Sequence, residues 1–220
     1  IVVTYNRLEL LKKSIGALRR QQRLDQIVVV NNGSSDGTKE WLDGQADLQV
    51  IHQENVGGNG GFHTGIKVAY DEGADWIWCM DDDVFPKDGC LDELLSLVAL
   101  EETQLDRKKP LGILAPRRVM NGKTFTHEFR RYNLTNPLGS LHAEKLSGEE
   151  TTPTEIVGCD FEGPFISRSV VEKIGLPNRE LFIFYDDTEY CLRAHLAGFR
   201  LLYVPSAVMD KHAFFSEDSW

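Results

Sequence analysis

The sequence predicts an α/β fold in which a mostly parallel, Rossmann-like sheet carries helices on both faces. Short β-branched runs alternate with segments whose apolar residues repeat at the helical spacing, and this alternation continues through the first half of the chain. Such alternation is typical of parallel sheets, because the helix that joins two parallel strands packs back onto the sheet. With 220 residues, 41% of them hydrophobic, the chain has enough apolar side chains for one large domain.

The first half contains four predicted strands, each a run of apolar residues. In chain order they are IVVTY from residue 1, QIVVVNN from residue 26, LQVIHQ from residue 48 and WIWCM from residue 76. A helix is predicted after the first strand, because Leu8, Leu11, Ile15 and Leu18 recur at helical intervals. A second helical segment, GIKVAYDEG, precedes the fourth strand. Ligands of open parallel sheets bind beyond the carboxyl ends of the strands, so a cleft is expected there.

The second half is less regular. It begins with a predicted helix, LDELLSLVALEE, and a strand, LGILAP, and residues 117–156 show no clear pattern. A strand leading into a helix, GPFISRSVVEKIG, then precedes an amphipathic helix, YDDTEYCLRAHLAGF, and a last strand, RLLYVP. We interpret residues 1–220 as one domain, in which residues 118–220 complete the cleft that residues 1–117 open.

Composition excludes several classes of protein. The net charge of −10 argues against a nucleic-acid partner, which requires a basic surface. The cysteines, Cys79, Cys90, Cys159 and Cys191, lack metal-site spacing and indicate a reducing cytoplasm. No apolar stretch approaches the ~20 residues that span a bilayer. Ile1 begins inside a strand-like run, so we expect a fragment whose membrane anchor, if it has one, lies outside this sequence.

The segment WIWCMDDDVFP places three aspartates directly after the fourth predicted strand. Alternate side chains of an extended segment point the same way, so Asp81 and Asp83 are expected to face one point and Asp82 another. Two converging carboxylates require a cation, and oxygen ligands favour Mn²⁺ or Mg²⁺. The alternative interpretation is a solvated acidic turn that caps the following helix.

Two polar loops are predicted at the ends of neighbouring strands. NVGGNGGFHTG follows the third strand, and its glycines would let backbone amides approach an anion. It lacks the spacing of a dinucleotide fingerprint and the Gly-Lys-Ser/Thr of a P-loop, and tight packing alone would also explain it. NNGSSDGT follows the second strand and by itself is compatible with a simple turn.

In combination these motifs resemble one family. IVVTYNR, IVVVNNGSSDGT, NVGGNGGF, WIWCMDDDVFP, GPFISRSVVEKIG and YDDTEYCLRAHLAGF occur in the order found in inverting nucleotide-sugar glycosyltransferases with the A-type fold, the large family 2. The three aspartates and GGNGGF resemble its galactofuranosyltransferase branch, which lies close to the rhamnosyltransferases. The resemblance implies an A-type glycosyltransferase fold, a nucleotide diphosphate sugar as donor, and a role in polysaccharide biosynthesis.

The resemblance also implies roles for individual residues. The residues it assigns to the nucleotide are Thr4, Tyr5, Arg7, Asn32, Asn55, Gly58 and Asp81, with Asn32 at a position that is often aspartate in the family. Asp82 is expected near the donor sugar. The expected metal ligands are Asp81, Asp83 and His212, the last within VMDKHAFF.

The second half is expected to bind the acceptor. Asp187 matches the catalytic base, a role that agrees with the need to remove a proton from the attacking hydroxyl; a helix cap is the alternative explanation of Asp186 and Asp187. Acceptor contacts are expected from Gly163, Pro164, Phe165 and Asp186. The aromatic side chains Trp76, Trp78 and Phe184 are further candidates, with Trp78 undecided.

The sequence thus predicts a metal-dependent enzyme that transfers galactofuranose from a UDP-sugar to a saccharide or lipid-linked saccharide, with inversion. A rhamnosyltransferase using dTDP-rhamnose is the alternative. A sugar-phosphate nucleotidyltransferase is disfavoured, because TYNRLELL is not the glycine-rich basic loop of that class. A binding module without catalytic activity is disfavoured, because Asp187 is present. The expected location is the cytoplasm, with peripheral association at the inner face of the plasma membrane through segments outside this chain.

Overall fold

The computed structural model describes residues 1–104, 109–126, 130–131, 144–181 and 186–213. The helices in these residues are α1 Leu8–Leu18, α2 Thr38–Asp43, α3 Gly57–Asp71, α4 Cys90–Glu102, α5 Arg168–Ile174 and α6 Asp186–Leu196. The strands are β1 Val2–Thr4, β2 Ile27–Asn31, β3 Leu48–His52, β4 Trp76–Trp78, β5 Met80–Asp81, β6 Val84–Pro86, β7 Leu111–Met120, β8 Lys123–Thr124, β9 Arg130–Arg131, β10 Glu144–Lys145, β11 Thr154–Ile156, β12 Phe165–Ser167 and β13 Arg200–Lys211. No helix in this part of the chain is long and apolar enough to cross a membrane.

The first half of the chain forms a four-stranded parallel sheet in the order β3-β2-β1-β5. Its strands carry the β-branched runs recognised in the sequence. Between strands the chain runs back across the sheet, so that every strand starts from the same edge. The carboxyl ends of all four strands therefore lie side by side. This confirms the predicted α/β class and places the polar loops at one edge of the sheet.

A second, mixed sheet has the order β11-β13-β7-β12-β4. The predicted fourth strand divides between the two sheets at Cys79. The Cys79 amide donates to the Pro164 carbonyl at 2.9 Å, whereas the next amide, of Met80, donates to the Ile1 carbonyl at 3.0 Å. The backbone thus changes its partner from β12 to β1 just before the three aspartates.

Helices cover both faces of the sheets, as predicted. Alternate side chains of each strand enter different clusters: Val3 packs with Phe62 of α3, and Val2 packs with Leu11 of α1. Helices α5 and α6 contribute to the first cluster, and α2 and α4 to the second. Each cluster contains residues from both sides of the predicted boundary at residue 117, and β7 runs across that boundary.

Strand β13 has 12 residues, twice the length of the predicted RLLYVP. Its register with β7 shifts between Val204 and Val208, and Pro205 lies in this irregularity, where a proline does not interrupt the pairing. Beyond it the strand continues to Lys211, which pairs with Val84 of β6. This extension brings the end of β13 beside the aspartates.

Candidate active site

The first loop and the aspartates are joined by side-chain contacts. The hydroxyl of Thr4 donates to Oδ2 of Asp82 at 2.7 Å. The guanidinium of Arg7 lies 3.3 Å from Oδ1 of Asp82 and 3.5 Å from Oδ2 of Asp83. Parallel pairing of β1 with β5, with Val3 opposite Asp81, accounts for this meeting of residues far apart in the chain.

Asp81 and Asp83 converge on a third carboxylate, that of Glu162, and ligand atoms of the three lie within 4.8 Å of one another. We call these three residues the carboxylate group. Asp82 points instead to Thr4 and Arg7. The predicted division between the alternate aspartates is therefore present. Glu162 was not predicted; its only signal is an acidic residue three positions before β12 begins at Phe165.

Burial controls the ionisation of these acids. It raises the pKa of Asp81 well above its usual range and that of Asp83 to about 6. The pKa of Asp82 is also raised by burial, against the opposing hydrogen bond from Thr4 and the charge of Arg7. Burial opposes ionisation of Glu162 as well, but the cations Arg118 and Lys211 outweigh it and lower the pKa. Ionisation of Asp81 and Asp83 is therefore disfavoured unless a further positive charge lies beside them.

His212 adjoins the carboxylate group through its backbone. Its amide donates to the Asp83 carbonyl at 2.9 Å, which extends the pairing of β13 with β6. The residue is exposed, and its ring is not a member of the carboxylate group. The assignment of its imidazole as a metal ligand therefore stays a prediction.

Asn32, at the end of β2, is buried and its amide is used within the protein. It donates to Oδ1 of Asn55 at 3.2 Å and to the Gly57 carbonyl at 2.9 Å, and it accepts from Gln53 at 2.9 Å. Asn55 in turn accepts from the Gly57 amide at 3.0 Å. In this structure Asn32 therefore fixes the start of α3, and its contact with a base stays a prediction.

The glycine cluster lies within α3 rather than in the loop before it, which corrects the predicted helix start. A Cβ on Gly61 would lie 2.5 Å from Val3 Cγ1, and one on Gly65 would lie 2.5 Å from Ile1 Cγ2. These glycines let the helix pack closely on β1. A Cβ on Gly58 would meet nothing within 4 Å, so packing does not explain that glycine.

Gly163, Pro164 and Phe165 are buried. Gly163 has a φ of 115°, and a Cβ there would lie 2.6 Å from Met209 Sδ, so its conformation and the available space both favour glycine. Their backbone pairs with Cys79 and thereby sets Glu162 beside Asp81.

The aromatic side chains Trp76, Trp78 and Phe165 lie together, and their contact with an acceptor stays a prediction. Phe165 is only 4% exposed and stacks on Trp76, with ring centroids 4.9 Å apart. Trp78 donates to the Gly163 carbonyl at 2.8 Å. All three rings line a cavity of about 700 Å³, whose other walls include segments preceding β2 and β4, at the opposite end of the sheet. Phe184 lies outside the described residues.

Helix α6 begins at the two predicted catalytic-site acids. Burial raises the pKa of Asp186 to about 6, and the adjacent charge of Asp187 adds to this shift. Asp187 also accepts from the Thr188 amide. Helix α6 packs on the segment that leads to Glu162, since Cys191 Sγ lies 3.6 Å from Cys159 Sγ. The same segment also contacts α3, where Phe161 stacks on Phe62 with ring centroids 4.6 Å apart.

Comparisons with known proteins agree with this architecture. The galactofuranosyltransferase GlfT1 of Mycobacterium tuberculosis is 33% identical over 206 residues, which represent 90% of this chain and 64% of that protein. The dTDP-rhamnosyl transferase RfbF of Shigella flexneri is 27% identical over 214 residues, which represent 95% of this chain and 67% of that protein. The chain thus spans about two thirds of the length of these relatives.

The fold matches solved structures at low sequence identity. The crystal structure of GalNAc-T7 with UDP, GalNAc and Mn²⁺ aligns with a TM-score of 0.73 at 14% identity, covering 100% of this chain and 44% of that one. This likeness shows a shared A-type glycosyltransferase fold. The sequence profile of glycosyl transferase family 2 matches residues 1–174. The chain therefore belongs to glycosyl transferase family 2.

Proposed function

We propose that this domain transfers galactofuranose from a UDP-sugar to a hydroxyl of a saccharide, with inversion and with a divalent cation. The observation that carries this proposal is the carboxylate group at the carboxyl edge of the parallel sheet of a family 2 chain. That edge is where ligands of open α/β sheets bind.

The residues present fit a hard divalent cation, Mn²⁺ or Mg²⁺. The carboxylate group offers oxygen donors only, which such ions prefer. Asp83 is 2% exposed, and its Oδ1 has no hydrogen-bond partner among the described residues, which is costly for a buried carboxylate unless a ligand completes it. A cation bound there would offset the negative charge that develops on the departing diphosphate.

The nucleotide is assigned to the first three strand ends. Tyr5 is 47% exposed and can pack on a base, and Arg7 can reach a phosphate from its position over Asp82. The first turn of α3 presents backbone amides to an anion, and Gly58 leaves room above them. Asn32 and Asn55 hold that turn in place.

The second half is assigned to the acceptor. Asp187 is proposed as the general base that accepts the proton of the attacking hydroxyl, and Asp186 as an acceptor contact. Inversion follows when that hydroxyl attacks directly from the side opposite the leaving diphosphate. Asp82, held by Thr4 and Arg7, is proposed to face the donor sugar.

A second donor has specific support. RfbF, a dTDP-rhamnosyl transferase, matches 95% of this chain, so dTDP-rhamnose is the second candidate. GlfT1 supports galactofuranose with the higher identity, 33% against 27%. For either donor we propose a saccharide or lipid-linked saccharide acceptor and a place in the cytoplasm at the inner face of the plasma membrane, reached through segments outside this chain.

The test is a donor screen with Mn²⁺. Release of the nucleoside diphosphate is measured for UDP-galactofuranose, UDP-galactopyranose, UDP-glucose and dTDP-rhamnose, with water and with saccharide acceptors. The proposal predicts the fastest release from UDP-galactofuranose and a product of inverted anomeric configuration by NMR. Faster release from dTDP-rhamnose would support the second candidate. Release from none of the four donors, or a retained configuration, would contradict the proposal.

A further inference from the structure

We propose that Glu162 is a third protein ligand of the divalent cation, beside Asp81 and Asp83. This inference rests on the proposed function, because it assumes that a cation binds the carboxylate group. Nothing in the local sequence around Asp81 indicates such a residue, since 81 positions separate the two acids.

The backbone delivers Glu162 to this position. The Gly163 amide donates to the Cys79 carbonyl, and the Cys79 amide donates to the Pro164 carbonyl, both at 2.9 Å. These two bonds align the residue before Gly163 with the segment that leads to Asp81. Because Gly163 tolerates no Cβ, the turn is tightly defined, and the Glu162 side chain is directed to the aspartates.

The carboxylate of Glu162 is held by ion pairs. Lys211 contacts its Oε1 and Arg118 contacts its Oε2. Arg118 is 1% exposed and also lies 3.2 Å from Asp160. A carboxylate oxygen has two lone pairs, so each oxygen that accepts from a cationic side chain still has one lone pair to offer to a metal.

The negative charge around this group can be balanced by one divalent cation. Five carboxylates, those of Asp81, Asp82, Asp83, Asp160 and Glu162, share three cationic partners, Arg7, Arg118 and Lys211, in the described contacts. Two negative charges remain when all are ionised. The buried Oδ1 of Asp83, which has no hydrogen-bond partner among the described residues, independently points to a cation at this position.

The first test measures Mn²⁺ binding in the presence of UDP by electron paramagnetic resonance, which counts free Mn²⁺. Glu162→Gln keeps the size of the side chain but removes its charge, and we expect Mn²⁺ affinity to fall by at least about tenfold, the loss typical of altered metal shells. The matched control is Asp160→Asn, since Asp160 shares Arg118 but is outside the carboxylate group; its affinity should stay within about threefold of wild type. Equal losses in the two variants would overturn the inference.

A second variant reports on ligation itself. Glu162→Cys should weaken Mn²⁺ binding and strengthen Cd²⁺ binding relative to wild type, because thiolates prefer soft ions, whereas Asp160→Cys should do neither. A Glu162→Cys protein without any gain for Cd²⁺ would count against ligation. If wild-type protein with UDP binds no Mn²⁺ at all, the metal-dependent function is wrong. If wild-type protein binds Mn²⁺ and both Glu162 variants bind it as tightly as wild type does, only this inference is wrong.

Discussion

Asp82 and Asp83 are neighbours in the chain, yet their side chains have different surroundings. Asp82 is fixed by Thr4 and Arg7, with bonds to both of its oxygens. Asp83 retains one oxygen with no hydrogen-bond partner among the described residues. The chain turns at Asp82 and Asp83, between β5 and β6. Because this turn directs the two carboxylates to different partners, a run of three aspartates can serve both a donor position and a cation.

We expect the affinity of the domain for Mn²⁺ to fall as the pH drops below about 6. Burial raises the pKa of Asp83 from 3.8 to about 6, so below that pH a proton must leave before Mn²⁺ binds. One competing proton weakens the affinity about tenfold per pH unit, and Asp81, whose pKa is also raised, adds to the effect. Titrations at pH 5, 6 and 7.5 measure this; a constant affinity over that range would contradict it.

The same raised pKa has an opposite consequence for the metal-free protein. A carboxyl group with a raised folded pKa stabilises the folded state fully below its unfolded pKa of 3.8, and this stabilisation is lost as the pH rises through about 6. At pH 5 a proton already stabilises the buried carboxyl and competes with Mn²⁺. Mn²⁺ should therefore raise the unfolding temperature more at pH 7.5 than at pH 5.

Asp187→Asn should lower turnover by about 10²–10⁴-fold, the usual contribution of a general base, while UDP affinity stays nearly unchanged. The substitution keeps the size of the side chain and removes the proton acceptor. The helix-cap explanation predicts little effect, because Asn caps a helix as well as Asp does. Turnover and UDP affinity are measured together.

Glu189→Gln is the matched control, since Glu189 is another acid in the first turn of α6 and pairs with Arg193 at 2.7 Å. It should retain most of the turnover. If Asp187→Asn retains as much, the base is another residue, and Asp186 becomes the next candidate.

At the scale of elements, α3 contains two kinds of glycine. Gly61 and Gly65 are required by close contact with β1, where a methyl group would overlap Val3 or Ile1. Gly58 lies in the first turn, at the mouth of the proposed nucleotide site, with open space above it. The helix therefore combines close packing on the sheet with an open amino end.

Alanine substitutions should separate the two kinds. Gly61→Ala is expected to destabilise the domain by about 1–3 kcal/mol through overpacking. Gly58→Ala should not lower the free energy of unfolding, because Ala favours a helix by up to about 1 kcal/mol relative to Gly. The same substitution should weaken UDP binding, since the added methyl group occupies the open space. Thermal unfolding and calorimetry with UDP measure the two effects.

Gly16→Ala in α1 is the control for helix propensity, because a Cβ there also meets nothing within 4 Å. It should leave UDP affinity unchanged. Wild-type UDP affinity in the Gly58→Ala protein would mean that the first turn of α3 does not approach the nucleotide.

For the whole molecule, the net charge of −10 and the acids at the sheet edge oppose the approach of a diphosphate. UDP and Mn²⁺ are therefore expected to bind cooperatively, each increasing the affinity for the other by the same factor. Calorimetry should show UDP binding with Mn²⁺ that is much weaker in EDTA. ADP and GDP should compete poorly with UDP. Equal UDP affinity with and without Mn²⁺ would contradict this expectation.

Much of the fold could be predicted because its signals are local. The alternation of apolar runs in residues 1–81 predicts the parallel sheet, since each strand and each helix has its own periodicity. Strand alternation also predicts the convergence of Asp81 and Asp83, although the structure produces it with a turn at Asp82 and Asp83, between β5 and β6. The start of α3 could not be predicted, because Gly57, Gly58, Gly60 and Gly61 are poor helix formers; their helix is stabilised by packing on β1.

The sequence by itself determined the α/β class, the family, and the placement of polar loops at the strand ends, because these depend on short-range patterns and the order of motifs. Only the tertiary structure decided that Glu162 joins Asp81 and Asp83, that Lys211 and Arg118 hold it, and that Phe165 faces the opposite end of the sheet. Each of these depends on which strands pair and in which register. Register is set by long-range packing, so residues 81 positions apart meet for reasons that neither local segment contains.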